Sequence, residues 1–166
     1  MENRIYNVLF LCTGNSARSI MAEALLNTLG ADRFRAFSAG SHPSGQVQPI
    51  AAELAQSLGY AAERLRSKSW DEFAGADAPE MDLVITVCDN AAGETCPVWL
   101  GQPTLAHWGV PDPVAEKDDD ARRRAFVGAF ATLRKRIELL LALPLEKLDR
   151  LAAQAKLQAI GQVGKE

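Results

Sequence analysis

The sequence predicts an α/β domain, a parallel sheet covered by helices on both faces. Three observations predict it. The run Val8-Leu9-Phe10-Leu11 is continuously apolar rather than alternating, the pattern of a strand buried on both sides. Asp82-Leu83-Val84-Ile85-Thr86-Val87 repeats that pattern with β-branched residues. Helical periodicity fills the intervals, most strongly over Ala121–Leu143, where Phe126, Phe130, Leu133, Ile137 and Leu140-Leu141 line one side.

The elements follow in order. Asn7–Leu11 is the first strand, and Ser19–Leu29 is a helix stopped by Gly30. Arg35–Ala39 is a short second strand, after which Gly40-Ser41-His42-Pro43-Ser44-Gly45 has the composition of a loop. Pro49 suits the first turn of a helix that runs to Leu58 and ends at Gly59. Ser67–Phe73 is read as a short helical turn and Ala74–Glu80 as loop. After the strand at Asp82–Val87, Asp89–Gly101 shows no periodicity and reads as a long loop or an irregular short helix. Thr104–Trp108 is the fourth strand, and Gly109-Val110-Pro111-Asp112-Pro113 is a rigid turn. Pro144 interrupts the long helix, and Leu145–Leu157 is a further amphipathic helix.

A chain of 166 residues suits one domain. Its net charge of −3 argues against a nucleic-acid surface. No apolar run reaches the length of a membrane span, and Val8–Leu11 is too short for a signal sequence, so a cytoplasmic protein with no membrane partner is expected. Three cysteines do not make a secreted disulfide scaffold; in a reducing compartment such residues are catalytic, redox-active or buried. A monomer is expected, with a dimer as the alternative.

The first strand runs into Cys12-Thr13-Gly14-Asn15-Ser16-Ala17-Arg18-Ser19, which then enters a helix. Such a loop points successive backbone N–H groups at one spot, and the helix dipole adds positive potential there. Gly14 and Asn15 tolerate the left-handed backbone that a nest requires. Arg18 offers a planar fork matching two oxygens of a tetrahedral anion. Thr13, Gly14, Asn15, Ser16, Ala17 and Arg18 are therefore the candidate oxyanion-binding residues. The same field is expected to lower the pKa of Cys12 and hold it as the attacking thiolate, with Ser19 as a further hydroxyl donor. The loop is not a nucleotide-binding Walker loop, since no Gly-Lys-Ser/Thr follows. It resembles the low-molecular-weight protein tyrosine phosphatase family, whose signature is Cys-x5-Arg-Ser close to the N-terminus.

Asp112 lies between two prolines, which restrict its backbone; it reads either as a turn-forming residue or as a general acid. The resemblance selects the acid, because the family carries its acid in a downstream Asp-Pro pair. Val114 and Ala115 follow, where the tyrosine phosphatases of that family have aromatic residues. Cys88 and Cys96 flank a stretch rich in small residues and read either as unrelated cysteines or as a pair able to exchange disulfides. A zinc site from Cys12, Cys88, Cys96 and His107 lacks the usual ligand spacing, so no metal is expected.

With these cysteines included, the chain resembles the arsenate reductases built on the phosphatase fold, through Cys12 to Arg18, Cys88 with Cys96, His107-Trp108-Gly109 and Asp112-Pro113. That resemblance implies a three-layer sandwich with a four-stranded parallel sheet in the order 2-1-3-4. It covers residues 1–143; residues 144–166 add a helical extension packed on, or trailing, the same domain. Two departures are visible: the Cys88–Cys96 interval is one residue longer than usual, and position 17 is Ala where several members have another Cys.

The resemblance implies reduction of arsenate to arsenite. Cys12 is the nucleophile, Arg18 holds the oxyanion, Asp112 protonates the leaving oxygen, and Cys88 and Cys96 relay the disulfide. It implies no bound cofactor and an external reductant, thioredoxin or glutathione with glutaredoxin. Potassium-dependent members hold their cation with Asn, Glu, Ser and an acidic residue. The counterparts here are Asn15, Glu23 and Ser38, with Lys68 near the acidic position, so the ammonium replaces the ion or is a solvated loop lysine. Two other readings remain at this stage: hydrolysis of phosphomonoesters by Cys12, Arg18 and Asp112, and an As(III)-binding or thiol-responsive protein without turnover.

Overall fold

A computed structural model describes residues 4–88 and 103–163. The elements are β1 (Tyr6–Cys12), α1 (Arg18–Leu29), β2 (Phe34–Gly40), α2 (Pro49–Ser57), β3 (Leu83–Thr86), β4 (Thr104–His107), α3 (Asp119–Leu141) and α4 (Arg150–Ile160). The four strands form one parallel sheet in the order β2-β1-β3-β4, as expected.

That order follows from the connections. The chain leaves β1 through α1 to reach β2 on one side, then returns past β1 to place β3 on the other. Strand order therefore reverses at the C-terminal end of β1, where open α/β sheets bind ligands. Register completes the alignment. Cys12 pairs with Gly40, and Leu11 pairs with Thr86, so Cys88 emerges beside Thr13.

Alternation along β1 divides the interior. Tyr6, Val8, Phe10 and Cys12 join one cluster with Ile20 and Leu25 of α1, Ala51 and Ala55 of α2, Phe126, Leu133 and Ile137 of α3, and Leu157 and Ile160 of α4. Leu9 and Leu11 face a smaller cluster with Ala39, Phe73, Met81 and Val84, closed by Trp70 and Phe37. The four fully buried side chains Phe126, Leu133, Ile137 and Leu140 along α3 each stabilise the fold by about 1.5–3 kcal/mol through burial. No described helix is long and apolar enough to cross a membrane.

The segment Ser67–Phe73, helical turn in expectation, contains a 3-10 turn over Trp70–Phe73 that Ser69 caps by accepting from the Asp71 N–H. The helix expected over Leu145–Leu157 divides into a 3-10 turn, Leu145–Lys147, and α4. Asp149 causes the division: its backbone is extended and its carboxylate accepts from Ala152 N, which starts a new helix there. α4 lies along the open edge of β4, where Gln158 Oε1 accepts the outward His107 N–H at 2.6 Å and occupies an unpaired strand donor.

Candidate active site

The loop Cys12–Arg18 is shaped by what holds its carbonyls. His42 N donates to Thr13 O at 2.9 Å, Ser44 N to Gly14 O at 3.0 Å and Gln48 N to Ser16 O at 2.9 Å. Ser67 Oγ donates to Gly14 O at 3.2 Å while accepting from Gly45 N at 3.1 Å. The segment 42–48 is thus a strap that draws the loop's carbonyls outward, leaving its N–H groups to face inward. Asn15 stands at φ +45°, the left-handed conformation expected of a nest. Its side chain fixes it from two sides: Oδ1 accepts from Lys68 N at 2.8 Å, and Nδ2 donates to Ser19 Oγ at 2.8 Å. Ser19 therefore accepts from Asn15 and keeps its own proton to donate.

Gly40 makes this geometry possible. A Cβ there would sit 2.4 Å from Thr13 O, 2.8 Å from Cys12 O and 3.0 Å from Asn15 N. β2 and the loop meet backbone to backbone, and only hydrogen fits between them. Helix α1 begins at Arg18 without a side-chain cap, so its first-turn N–H groups are left for a ligand.

Arg18 Nη1 donates to Val110 O at 2.8 Å, and Nη2 lies 3.9 Å from Asp112 Oδ1. Its Nε is buried with no hydrogen-bond partner, an unmatched donor suited to an anion's oxygen. Cys12, Thr13, Gly14, Ser16, Ala17, Arg18, Asp112 and Val114 line one cavity of about 270 Å³. Asp112 is half-exposed there, and its Oδ1 accepts from Val114 N at 3.0 Å, which sets its direction. Val114 gives that cavity an aliphatic wall beside Asp112.

Cys12 and Cys88 are both buried, and their thiols are hydrogen-bonded to each other. Cys88 Sγ also accepts from Thr13 N at 3.3 Å. This corrects the expectation of a lowered Cys12 pKa. The hydrogen bond from Cys12 to Cys88 and the burial of the thiol push Cys12 up, together with Coulomb repulsion by Cys88. The Arg18 guanidinium and the Gly14 N–H pull it down and do not prevail. Cys96 lies outside the described residues.

Behind the loop, Ser38 Oγ donates to Glu23 Oε1 at 2.7 Å and Tyr60 OH to Oε2 at 3.0 Å. Lys68 Nζ lies 3.8 Å from Glu23 Oε1 and donates to Ser38 Oγ at 3.4 Å and to Arg66 O at 2.8 Å. Burial pulls the Lys68 ammonium below the usual lysine range, and Glu23 opposes that. The structure thus brings Asn15, Glu23, Ser38 and Lys68 together. Gly40, Ser67, Tyr60 and the 42–48 strap were not legible as site residues. Gly40 did stand directly after a predicted strand, facing the loop that leaves the neighbouring strand.

Among known proteins, residues 7–155 match the family described as low molecular weight phosphotyrosine protein phosphatase. The arsenate reductase of Bacillus subtilis strain 168 is 34% identical over 126 residues, covering 76% of this chain and 86% of that protein. The solved structure titled an arsenate reductase in the phosphate binding state superposes with a TM-score of 0.66 at 30% identity, covering 82% of this chain and 97% of that one. Another, an arsenate reductase in oxidized state, gives 0.65 at 28% identity, over 82% of this chain and 96% of that one. With the nest, the arginine and the cysteine at the end of β1, these likenesses settle the kinship: the chain belongs to the low molecular weight phosphotyrosine protein phosphatase family, among relatives named arsenate reductase.

Proposed function

We propose that this protein reduces arsenate to arsenite, with Cys12, Cys88 and Cys96 carrying the two electrons. The observation that supports it most is the buried Cys88 thiol hydrogen-bonded to Cys12, the cysteine that lines the oxyanion cavity. Hydrolysis of an ester has no use for that second sulfur; a redox relay requires it.

Arsenate enters the nest and meets the inward N–H groups, Arg18 Nε and the positive end of α1. Cys12 stands protonated beside Cys88, so the bound dianion is the nearest base for its proton. The resulting thiolate attacks arsenic, and the departing oxygen takes a proton from Asp112 and leaves as water. Cys88 then attacks the Cys12 sulfur. A disulfide forms, the As–S bonding pair stays on arsenic, and As(V) becomes As(III). Cys96 displaces Cys12 from Cys88, and an external dithiol reduces the Cys88–Cys96 disulfide. Sulfur carries both electrons, so the cycle needs no bound organic cofactor.

Thioredoxin is the reductant favoured by the family resemblance, and glutathione with glutaredoxin is the alternative. Arsenate-dependent NADPH oxidation is expected with thioredoxin and its reductase, and not with the glutaredoxin system. Oxidation in neither system, with phosphomonoester hydrolysis present, would identify a hydrolase instead.

Lys68 is read as the cation that steadies the back of the loop. Its ammonium stands against Glu23 and Ser38, so these residues do not also fit a potassium ion. Exchanging potassium for sodium at constant ionic strength is expected to leave turnover unchanged, whereas a Lys68→Ser variant should acquire a potassium response. A strong potassium requirement in the unaltered protein would remove this assignment.

A further inference from the structure

Arg136 occupies an apolar stripe of α3, between Leu133 and Ile137 on one side and Leu140 on the other, and is 1% exposed. Among the described residues no carboxylate pairs with it. Its guanidinium instead holds three carbonyls: Nε donates to Val163 O at 3.0 Å, and Nη1 donates to Trp108 O at 3.0 Å and to Gly109 O at 3.2 Å. A buried guanidinium spent on backbone carbonyls is a costly way to fill space that a methionine would fill. What it gains is a fixed relation between two segments, the end of β4 and the end of α4.

Those segments are tied in other ways. Trp108 is fully buried, and its Nε1 donates to Leu157 O at 2.8 Å. Gln158 Oε1 accepts from His107 N. At Gly161 a Cβ would stand 2.4 Å from His107 O and 2.9 Å from Trp108 Cδ1, so α4 rests on residues 107–108 with no space to spare. From there the chain turns into the active site. Val110 N donates to Val87 O at 3.0 Å, Val110 O accepts from Arg18 Nη1, and Asp112 follows.

We propose that Arg136 is a positioning residue: through the carbonyls of Trp108 and Gly109 it sets the turn that aims Asp112, with α4 as the strut it works against. The C-terminal helix is then part of the catalytic apparatus. The proposal rests on Asp112 being the acid, and its test separates the two.

The test is a double-mutant cycle read as kcat/KM for arsenate in the coupled assay. Arg136→Met is expected to lower kcat/KM by about thirtyfold, since sub-ångström misplacement of reacting groups has effects of this order. Arg136→Lys, which keeps the charge without the fork, should fall in between. In an Asp112→Asn background, already slow, Arg136→Met should cost less than about threefold, because the group it aims is gone. A structural defect alone would cost the same factor in both backgrounds, and that result overturns the proposal. Should Arg136→Met fail to fold, Gly161→Ala, which forces α4 off His107, is carried through the same cycle with the same expectation. An Asp112→Asn variant that works at the unaltered rate removes the acid, and with it anything to aim.

Discussion

Cys88→Ser is expected to abolish steady-state arsenate reduction, with turnover falling by at least about a thousandfold, the scale of losing a nucleophile from a covalent mechanism. Serine keeps the size of the side chain and its place beside Thr13. What it lacks is a sulfur able to take Cys12 into a disulfide, so no electron pair is returned to arsenic. The variant carries a second signature at Cys12. Cys88 raises the Cys12 pKa through their hydrogen bond and through Coulomb repulsion, while Arg18 and Gly14 lower it. A neutral serine removes the repulsion and donates to a thiolate, so the Cys12 pKa falls. Each unit of fall raises the thiolate fraction about tenfold below the pKa. Alkylation of Cys12 by iodoacetamide near neutral pH should accordingly be faster in Cys88→Ser than in the unaltered protein. Arsenate turnover that survives the substitution overturns the relay; alkylation that slows overturns the account of the thiol pair.

Gly40→Ala is expected to reduce kcat/KM for arsenate by about 10²–10³-fold, because misplaced oxyanion donors and ångström-scale loop shifts each carry losses of that size. The added methyl meets Thr13 O, Cys12 O and Asn15 N, all backbone atoms of the loop, so no rotamer change relieves it. The loop must withdraw from β2, and its N–H groups turn away from the position where the anion's oxygens lie. Phosphate protection against thermal unfolding reports this directly: the unaltered protein should be stabilised by millimolar phosphate, and Gly40→Ala should not. Gly75→Ala is the control. A Cβ there meets nothing within 4 Å, so stability should change by no more than about 0.5 kcal/mol. Phosphate binding by Gly40→Ala as tight as in the unaltered protein would show that the close approach does not govern the nest.

Legibility in the sequence followed the range of the interactions. β1 and β3 were plain because buried parallel strands write continuous apolar runs, and α3 because its stripe spans several turns. The loop from Cys12 to Arg18 was plain because its pattern is local: the cysteine, the left-handed Asn15, the arginine and the helix start are contiguous. The division at Asp149 was missed, because periodicity carried on through a residue whose side chain preferred to cap a helix start. Arg136 falls in the apolar stripe of α3, but nothing local in the sequence names the carbonyls it holds. The pKa of Cys12 was read in the wrong direction, since its field was judged from the loop's own charges without Cys88.

The sequence by itself determined which residues are adjacent along the chain and what each segment prefers: strand, nest, helix, and a cysteine poised over an arginine. Tertiary structure decided how distant residues meet across the sheet: Gly40 beneath the loop and Arg136 between the ends of β4 and α4, neither foreseen, and the contacts of Cys88 with Cys12 and of Lys68 with Glu23, which only the resemblance had suggested. The reason is physical. Backbone and propensity terms act over a few residues, whereas register and burial join positions 25 to 76 residues apart in ways that no local pattern encodes.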